Sequence, residues 1–170
     1  MELLIGCGST RDKRITMPPE IPTEWVQLKT LDIVISHNPN YLVDLNKPPY
    51  GLGSNEWNEI HGYEVLEHLG QQGDYKSFFA QFNEFHRLLK PNGYFCATVP
   101  SRHSPWAWGD PGHTRLITRE TLVFLCQEAY REQVGITAMS DYRDVYTGDF
   151  KIIYADDNGQ TFTFILQALK

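Results

Sequence analysis

Cysteine, long apolar runs and positive charge are all scarce in this 170-residue chain. Its three cysteines, Cys7, Cys96 and Cys126, are odd in number, lie in or beside apolar runs and show no paired ligand spacing. That excludes a disulfide framework or a cysteine-rich zinc site and predicts reduced core thiols. No apolar stretch approaches the ~20 residues of a membrane-spanning helix, and the N-terminus has no basic region followed by a cleavable apolar segment. A soluble, cytoplasmic protein with no membrane contact is expected. Lys and Arg number 15 against 21 acids, a formal net charge of −6. Such a surface repels phosphate backbones, so nucleic acid is a disfavoured partner.

What is present is ordinary globular composition, 41% hydrophobic and 21% charged, in a length that fits one domain over residues 1–170 and buries roughly 70% of the unfolded surface. Leu3 to Ile5 form a short apolar strand suited to the middle of a parallel sheet, where both faces are covered and alternation is lost. It runs straight into Gly6-Cys7-Gly8, a turn at which main chain can pass close to a ligand because glycine tolerates positive φ. Residues 9–24 carry charges and prolines that cannot sit inside a helix, so the first crossover reads as a loop or a very short helix.

Residues 25–32 alternate as a strand ending in Asp32, and 41–45, Tyr-Leu-Val-Asp-Leu, read as a brief third strand. A turn-rich stretch follows, then Glu59-Ile-His-Gly-Tyr-Glu-Val-Leu-Glu-His-Leu holds the fourth strand and its exit. From Asp74 to Leu89 the spacing of Phe78, Phe79, Phe82, Phe85, Leu88 and Leu89 predicts a helix capped by Asp74 and stopped by Pro91 and Gly93. Tyr94 to Val99 is a fifth strand. A long aromatic loop follows, containing Trp106, Trp108 and Asp110-Pro-Gly-His113, where α/β sheets present ligand-binding loops. Thr118 caps a further helix ending near Gly135. Two strands, 150–155 and 161–169, flank the hairpin turn Asp156-Asp-Asn-Gly.

This order of features over the first hundred residues resembles the class I S-adenosylmethionine-dependent methyltransferases. The resemblance implies a Rossmann-like α/β fold: a mostly parallel, seven-stranded type of sheet with a C-terminal antiparallel hairpin and helices on both faces. Its N-terminus is reduced, because the first strand begins at Leu3. The implied activity is methyl transfer from S-adenosylmethionine to a small-molecule acceptor. By resemblance, Gly6, Cys7 and Gly8 meet the methionine end of the donor and Asp32 accepts the ribose hydroxyls as charge-assisted hydrogen bonds. Asp44 with Leu45 lies at the adenine, and Glu64 completes the crevice. Two departures stand out: Thr10 replaces a frequent third glycine, and the first crossover lacks its usual helix.

Glu64, Glu67 and His68 stand at i, i+3 and i+4, which shares one face if a helical turn begins there. Carboxylates with imidazole suit a divalent cation such as Mg2+ or Mn2+. Small-RNA and quinone-precursor O-methyltransferases use a Glu-x-x-Glu-His group with a later histidine for that purpose, so the resemblance implies a metal set of Glu64, Glu67, His68 and His113. Without a metal, His68 or His113 is the expected general base. Trp106 and Trp108 line an acceptor pocket or close the loop onto the core. His37, His61, His86 and His103 read as surface or loop filling. The alternative readings are a catalytically silent methyltransferase-like binding module and a nicotinamide enzyme. The latter's fingerprint requires a glycine where this chain has Arg11, and a helix directly after it.

Overall fold

The computed structural model describes residues 1–18 and 20–170. Seven strands form one sheet: β1 (Glu2–Ile5), β2 (Leu28–Asp32), β3 (Tyr41–Leu42), β4 (Trp57–Tyr63), β5 (Leu89–Pro100), β6 (Phe150–Asp157) and β7 (Thr161–Ala168). Their spatial order is β3-β2-β1-β4-β5-β7-β6. All neighbours from β3 to β5 pair in parallel, whereas β7 runs antiparallel to both β5 and β6. Order reverses beside β1, so the carboxyl ends of β1, β2 and β4 frame the crevice where such sheets bind ligands. The antiparallel β7 wedged between β5 and β6 is foreign to the dinucleotide-binding order 3-2-1-4-5-6, which removes the nicotinamide reading.

Four helices follow: α1 (Tyr75–Leu88), α2 (Trp106–Gly109), α3 (Arg119–Val123) and α4 (Gln127–Gln133). Helix α1 forms as its apolar spacing dictates, with the Asp74 carboxylate accepting from the Ser77 amide. Its Phe82 and Phe85 rings pack on Phe95 of β5, and Phe78, Leu3, Ile5, Ile60, Leu122 of α3 and Tyr130 of α4 belong to the same buried cluster. The single helix expected after Thr118 is two, separated at Phe124–Cys126. There the Cys126 and Phe124 amides keep only short-range bonds to Val123 and Thr121. The third strand is shorter than its apolar run and ends at Leu42.

The opposite face of the sheet differs from the expected layering. Its core contains Ile15, Ile21, Cys96 and Ile165, so an extended stretch from the first crossover covers ground where helices were expected. Strand alternation points Glu59, His61 and Tyr63 to that side. Glu59 Oε2 lies 2.7 Å from Lys13 Nζ and 2.8 Å from His61 Nε2, while His61 Nδ1 meets the Tyr63 hydroxyl at 2.7 Å. Tyr63 in turn accepts from the amides of Arg14 and Ile15, and Glu2 accepts from Gln27 and Val26. These polar contacts fasten a segment that proline prevents from fastening itself as a helix. His61 is therefore fully buried and structural, a correction to the loop-filling reading. His37 and His86 are likewise engaged, with the Asp32 carboxylate and the Leu169 carbonyl.

A candidate donor crevice beside a candidate metal centre

Gly6 and Gly8 take φ of 57° and 52°, in the left-handed region that favours glycine. At Gly6 space is also decisive. A Cβ there would lie 2.4 Å from Cγ2 of Val65, so the turn after β1 presses directly on the segment leaving β4. Asp32, 6% exposed at the end of β2, faces this turn. Its Oδ2 accepts from the Gly8 amide at 2.8 Å and lies 3.2 Å from His37 Nδ1, and its Oδ1 accepts from the Val34 amide at 2.8 Å. Burial raises its pKa, but the two amides and His37 outweigh burial, and the carboxyl sits below its ordinary range. With about four lone-pair sites on a carboxylate, Oδ1 retains one free acceptor site.

Arg11 was legible only as a missing glycine, yet it spans the crevice. One guanidinium nitrogen donates to the carbonyls of Cys7, Gly8 and Thr10, and the other donates to the His37 carbonyl at 2.7 Å. Asp44 lies beyond β3 in a local turn: it accepts from the Asn46 amide at 2.9 Å and pairs with Lys47 at 3.1 Å. Leu45 is buried beside Tyr50, whose hydroxyl donates to its carbonyl. The structure thus brings Gly6, Cys7, Gly8 and Asp32 together, while Asp44 keeps its carboxylate in its own turn.

The Glu-His group assembles differently from the helical turn expected. Glu64, the residue after β4, takes a φ of 54°, unusual and mildly costly for a residue with a Cβ, and only then does a 3-10 turn run from Leu66 to His68. The result still gathers three of the four predicted metal ligands, and Glu64 is not among them. Ligating atoms of Glu67, His68 and His113 lie within 4.8 Å of one another. Glu64 and Asp110 line the same cavity of about 450 Å³, with Trp106 at its edge. Trp106 and Trp108 are both largely exposed, 66% and 64%.

Each imidazole is oriented by a backbone carbonyl. His68 Nδ1 meets Gly112 O at 3.0 Å, and His113 Nδ1 meets Trp106 O at 2.8 Å. Such bonds place the proton on Nδ1 and leave each Nε2 free as a ligand atom, the usual outer support of a metal-binding histidine. His113 Nε2 is 3.9 Å from Glu67 and 3.8 Å from Asp110. Glu67 is 3% exposed, and both its carboxylate oxygens are buried with no hydrogen-bond partner among the described residues. Burial, reinforced by the Glu64 and Asp110 carboxylates, pushes its pKa up to about 8. A desolvated carboxylate with like charges around it is expensive unless a cation joins it. Asp110 was not among the predicted ligands. Its signal was its place in Asp-Pro-Gly-His, three residues before a candidate ligand.

A pH dependence follows. Glu67 has its folded-state pKa raised above the unfolded 4.5, so between those values the native state binds more protons than the unfolded one. Stability of the metal-free protein then falls as pH rises from about 5 to 8. Thermal melts across that range should show the decline, and Glu67→Gln should flatten it. An unchanged slope in the variant would place the effect elsewhere.

No family model and no curated protein sequence matches the chain. Solved structures do. An Archaeoglobus fulgidus SAM-dependent methyltransferase aligns with a TM-score of 0.57 at 15% identity, over 98% of this chain and 85% of that one. The N-methyltransferase NodS of Bradyrhizobium japonicum WM9 gives 0.58 at 10%, over 99% and 85%. The fold is that of the class I S-adenosylmethionine-dependent methyltransferases. The [4+2]-cyclase SpnF also aligns, at 0.56 and 13% identity over 99% of this chain and 75% of that one. This methyltransferase fold therefore occurs in a protein named for a different reaction, and the reaction of this chain must be argued from its own residues.

Among the described residues, no helix of this methyltransferase-fold chain is long and apolar enough to cross a membrane.

Proposed function

We propose that this chain is an S-adenosylmethionine-dependent methyltransferase that acts on a small-molecule acceptor with the help of a divalent cation. The observation that carries this reading is the Glu67 carboxylate, buried with both oxygens unpartnered and grouped with two histidines across Val65 from the glycine turn. Glu67, His68 and His113 would hold the cation, with Glu64 and Asp110 lining the same cavity. A cation there would supply Lewis acidity towards an acceptor oxygen and would balance the surrounding negative charge. S-adenosylmethionine, when bound, supplies a methyl group on a sulfonium that leaves as a neutral thioether.

The chain's own residues then have positioning as their main task. Gly6, Cys7 and Gly8 offer main chain to the methionine end, and the remaining Oδ1 site of Asp32 takes a ribose hydroxyl. Leu45 and Asp44 stand towards the adenine. Glu64, held in its left-handed conformation at the end of β4, connects the donor side to the metal side. Trp106, exposed at the rim, stacks on a flat acceptor and sheds water from the reacting groups. If the acceptor hydroxyl is not carried by a cation, the free Nε2 of His68 or His113 is the base that takes its proton.

Methyl transfer from labelled donor should appear for at least one hydroxyl-bearing acceptor in the presence of Mn2+ or Mg2+, and excess chelator should suppress it by roughly tenfold or more. An undiminished rate in chelator would remove the cation from the mechanism and leave the histidines as bases.

A specific feature supports a second reading. Arg11 crosses between the glycine turn and His37, and Asp32 already has most of its acceptor capacity engaged. A silent binding module would keep that closure. Calorimetric titration with the donor, followed by a labelled-methyl screen across acceptor classes, separates the two: binding without turnover on any acceptor favours the silent module.

A further inference from the structure

On the other side of the 67–70 segment from the metal cavity lies a second cavity of about 350 Å³, between the start of α1 and helix α3. Its size suits a small organic ligand. Aromatic rings make its walls: Phe78 and Phe79 of α1, Phe124 after α3, and Tyr142. Tyr142 is the hub, with ring centroids 5.1 Å from Phe79 and 5.7 Å from Phe124. Ring pairs at such spacing present flat apolar faces on which another ring can pack.

Arg115 also lines this cavity and is only 6% exposed. Its guanidinium donates to the Gln81 side-chain carbonyl at 2.9 Å and to the Asp74 backbone carbonyl at 3.3 Å, and packs 5.3 Å from the centre of the Phe78 ring. These acceptors are neutral, and no carboxylate among the described residues lies within ion-pair distance of it. Five N–H donors on a buried cation, met by two neutral oxygens, leave both charge and hydrogen-bonding capacity unspent. Two acids also line the cavity, and both are directed elsewhere. The Asp74 carboxylate caps the Ser77 amide, and Glu120 is 70% exposed and lies 3.7 Å from Arg102. The amino end of the 14-residue helix α1 faces the same space and adds a favourable field for negative charge.

We propose that this cavity binds an arylalkyl carboxylate, with its ring among Phe79, Phe124 and Tyr142 and its carboxylate on the Arg115 guanidinium. The site does not depend on the methyltransferase reading. It does share a wall with the candidate metal centre: the Glu67 carbonyl accepts from the amides of both Thr114 and Arg115, and Thr114 Oγ1 donates to the Gly70 carbonyl at 2.6 Å. His113 and Arg115, two residues apart in one stretch, thus serve neighbouring cavities.

The test uses 3-phenylpropionate and its neutral amide as probes, followed by heteronuclear NMR on the full chain. The carboxylate should bind in the sub-millimolar to low-millimolar range, shifting the Arg115 side-chain resonance and the Phe79 and Tyr142 rings, with the amide at least tenfold weaker. Thr121→Trp, which fills the cavity from α3 and leaves Arg115 in place, should abolish the shifts while preserving the melting temperature within a few degrees. Arg115→Lys keeps a charge but loses the planar fork and should weaken the carboxylate severalfold. Equal binding of acid and amide, shifts confined to other surfaces, no binding of the acid at all, or full binding by folded Thr121→Trp would each overturn the proposal.

Discussion

Replacing His68 and His113 together with alanine should abolish divalent-cation binding and lower methyl transfer by at least about 10²-fold, since losing even an outer support of a metal ligand typically costs 10- to 100-fold. The reason lies in what remains. Glu67 stays buried with two unpartnered oxygens but has no imidazole beside it to complete a donor set, and its proton becomes harder to displace. Because His68 is exposed and, among the described residues, the His113 side chain hydrogen-bonds only to the Trp106 carbonyl, the double variant should remain folded. Calorimetric titration with Mn2+ reads the first effect and labelled-methyl transfer the second. Wild-type affinity for Mn2+ in the variant would show that the cation binds elsewhere.

Gly6→Ala should have the largest effect on both fold and donor binding. The left-handed backbone at φ 57° costs roughly 1–2 kcal/mol for a residue with a Cβ. The added methyl, 2.4 Å from Val65 Cγ2, adds an overpacking cost of about 1–3 kcal/mol. Together these predict a fall in melting temperature of roughly 5–15 °C for a chain of this size. The methyl must also push the glycine turn away from Val65, which follows Glu64 directly, so donor affinity and cation affinity should fall together. Gly8→Ala is the control: it carries the same positive φ but a Cβ there meets no atom within 4 Å. It should lose less stability. Equal losses in the two variants would mean that backbone conformation alone, without the Val65 contact, sets the cost.

The sheet was legible because its central strands are short apolar runs bounded by turn chemistry, and α1 because its phenylalanines repeat at helical spacing. The gathering of Glu67, His68 and His113 was also legible, although the spacing argument assumed a helical turn and the chain uses a strand end followed by a 3-10 turn. What could not be read was long-range pairing. Nothing local announces that Lys13 will meet Glu59 and His61 or that Arg11 will reach the His37 carbonyl, because those contacts depend on how a proline-bearing segment lies across a sheet. At Asp44 the unread feature is local: its side chain also accepts from the amide two residues on, a turn contact that the strand pattern does not announce. Arg115 was invisible for the opposite reason: its meaning comes from the absence of a carboxylate opposite it.

The account as a whole requires the ends of β1, β2 and β4 to form one crevice in which donor and cation lie side by side. A crystal grown with Mn2+ and S-adenosylhomocysteine measures this directly. The prediction is an anomalous manganese peak at bonding distance from Glu67, His68 and His113, with nucleoside density along Gly6–Gly8 and a ribose hydroxyl on Asp32. Manganese bound away from those three residues, or an unmoved Arg11 over a crevice holding no nucleoside, would contradict it.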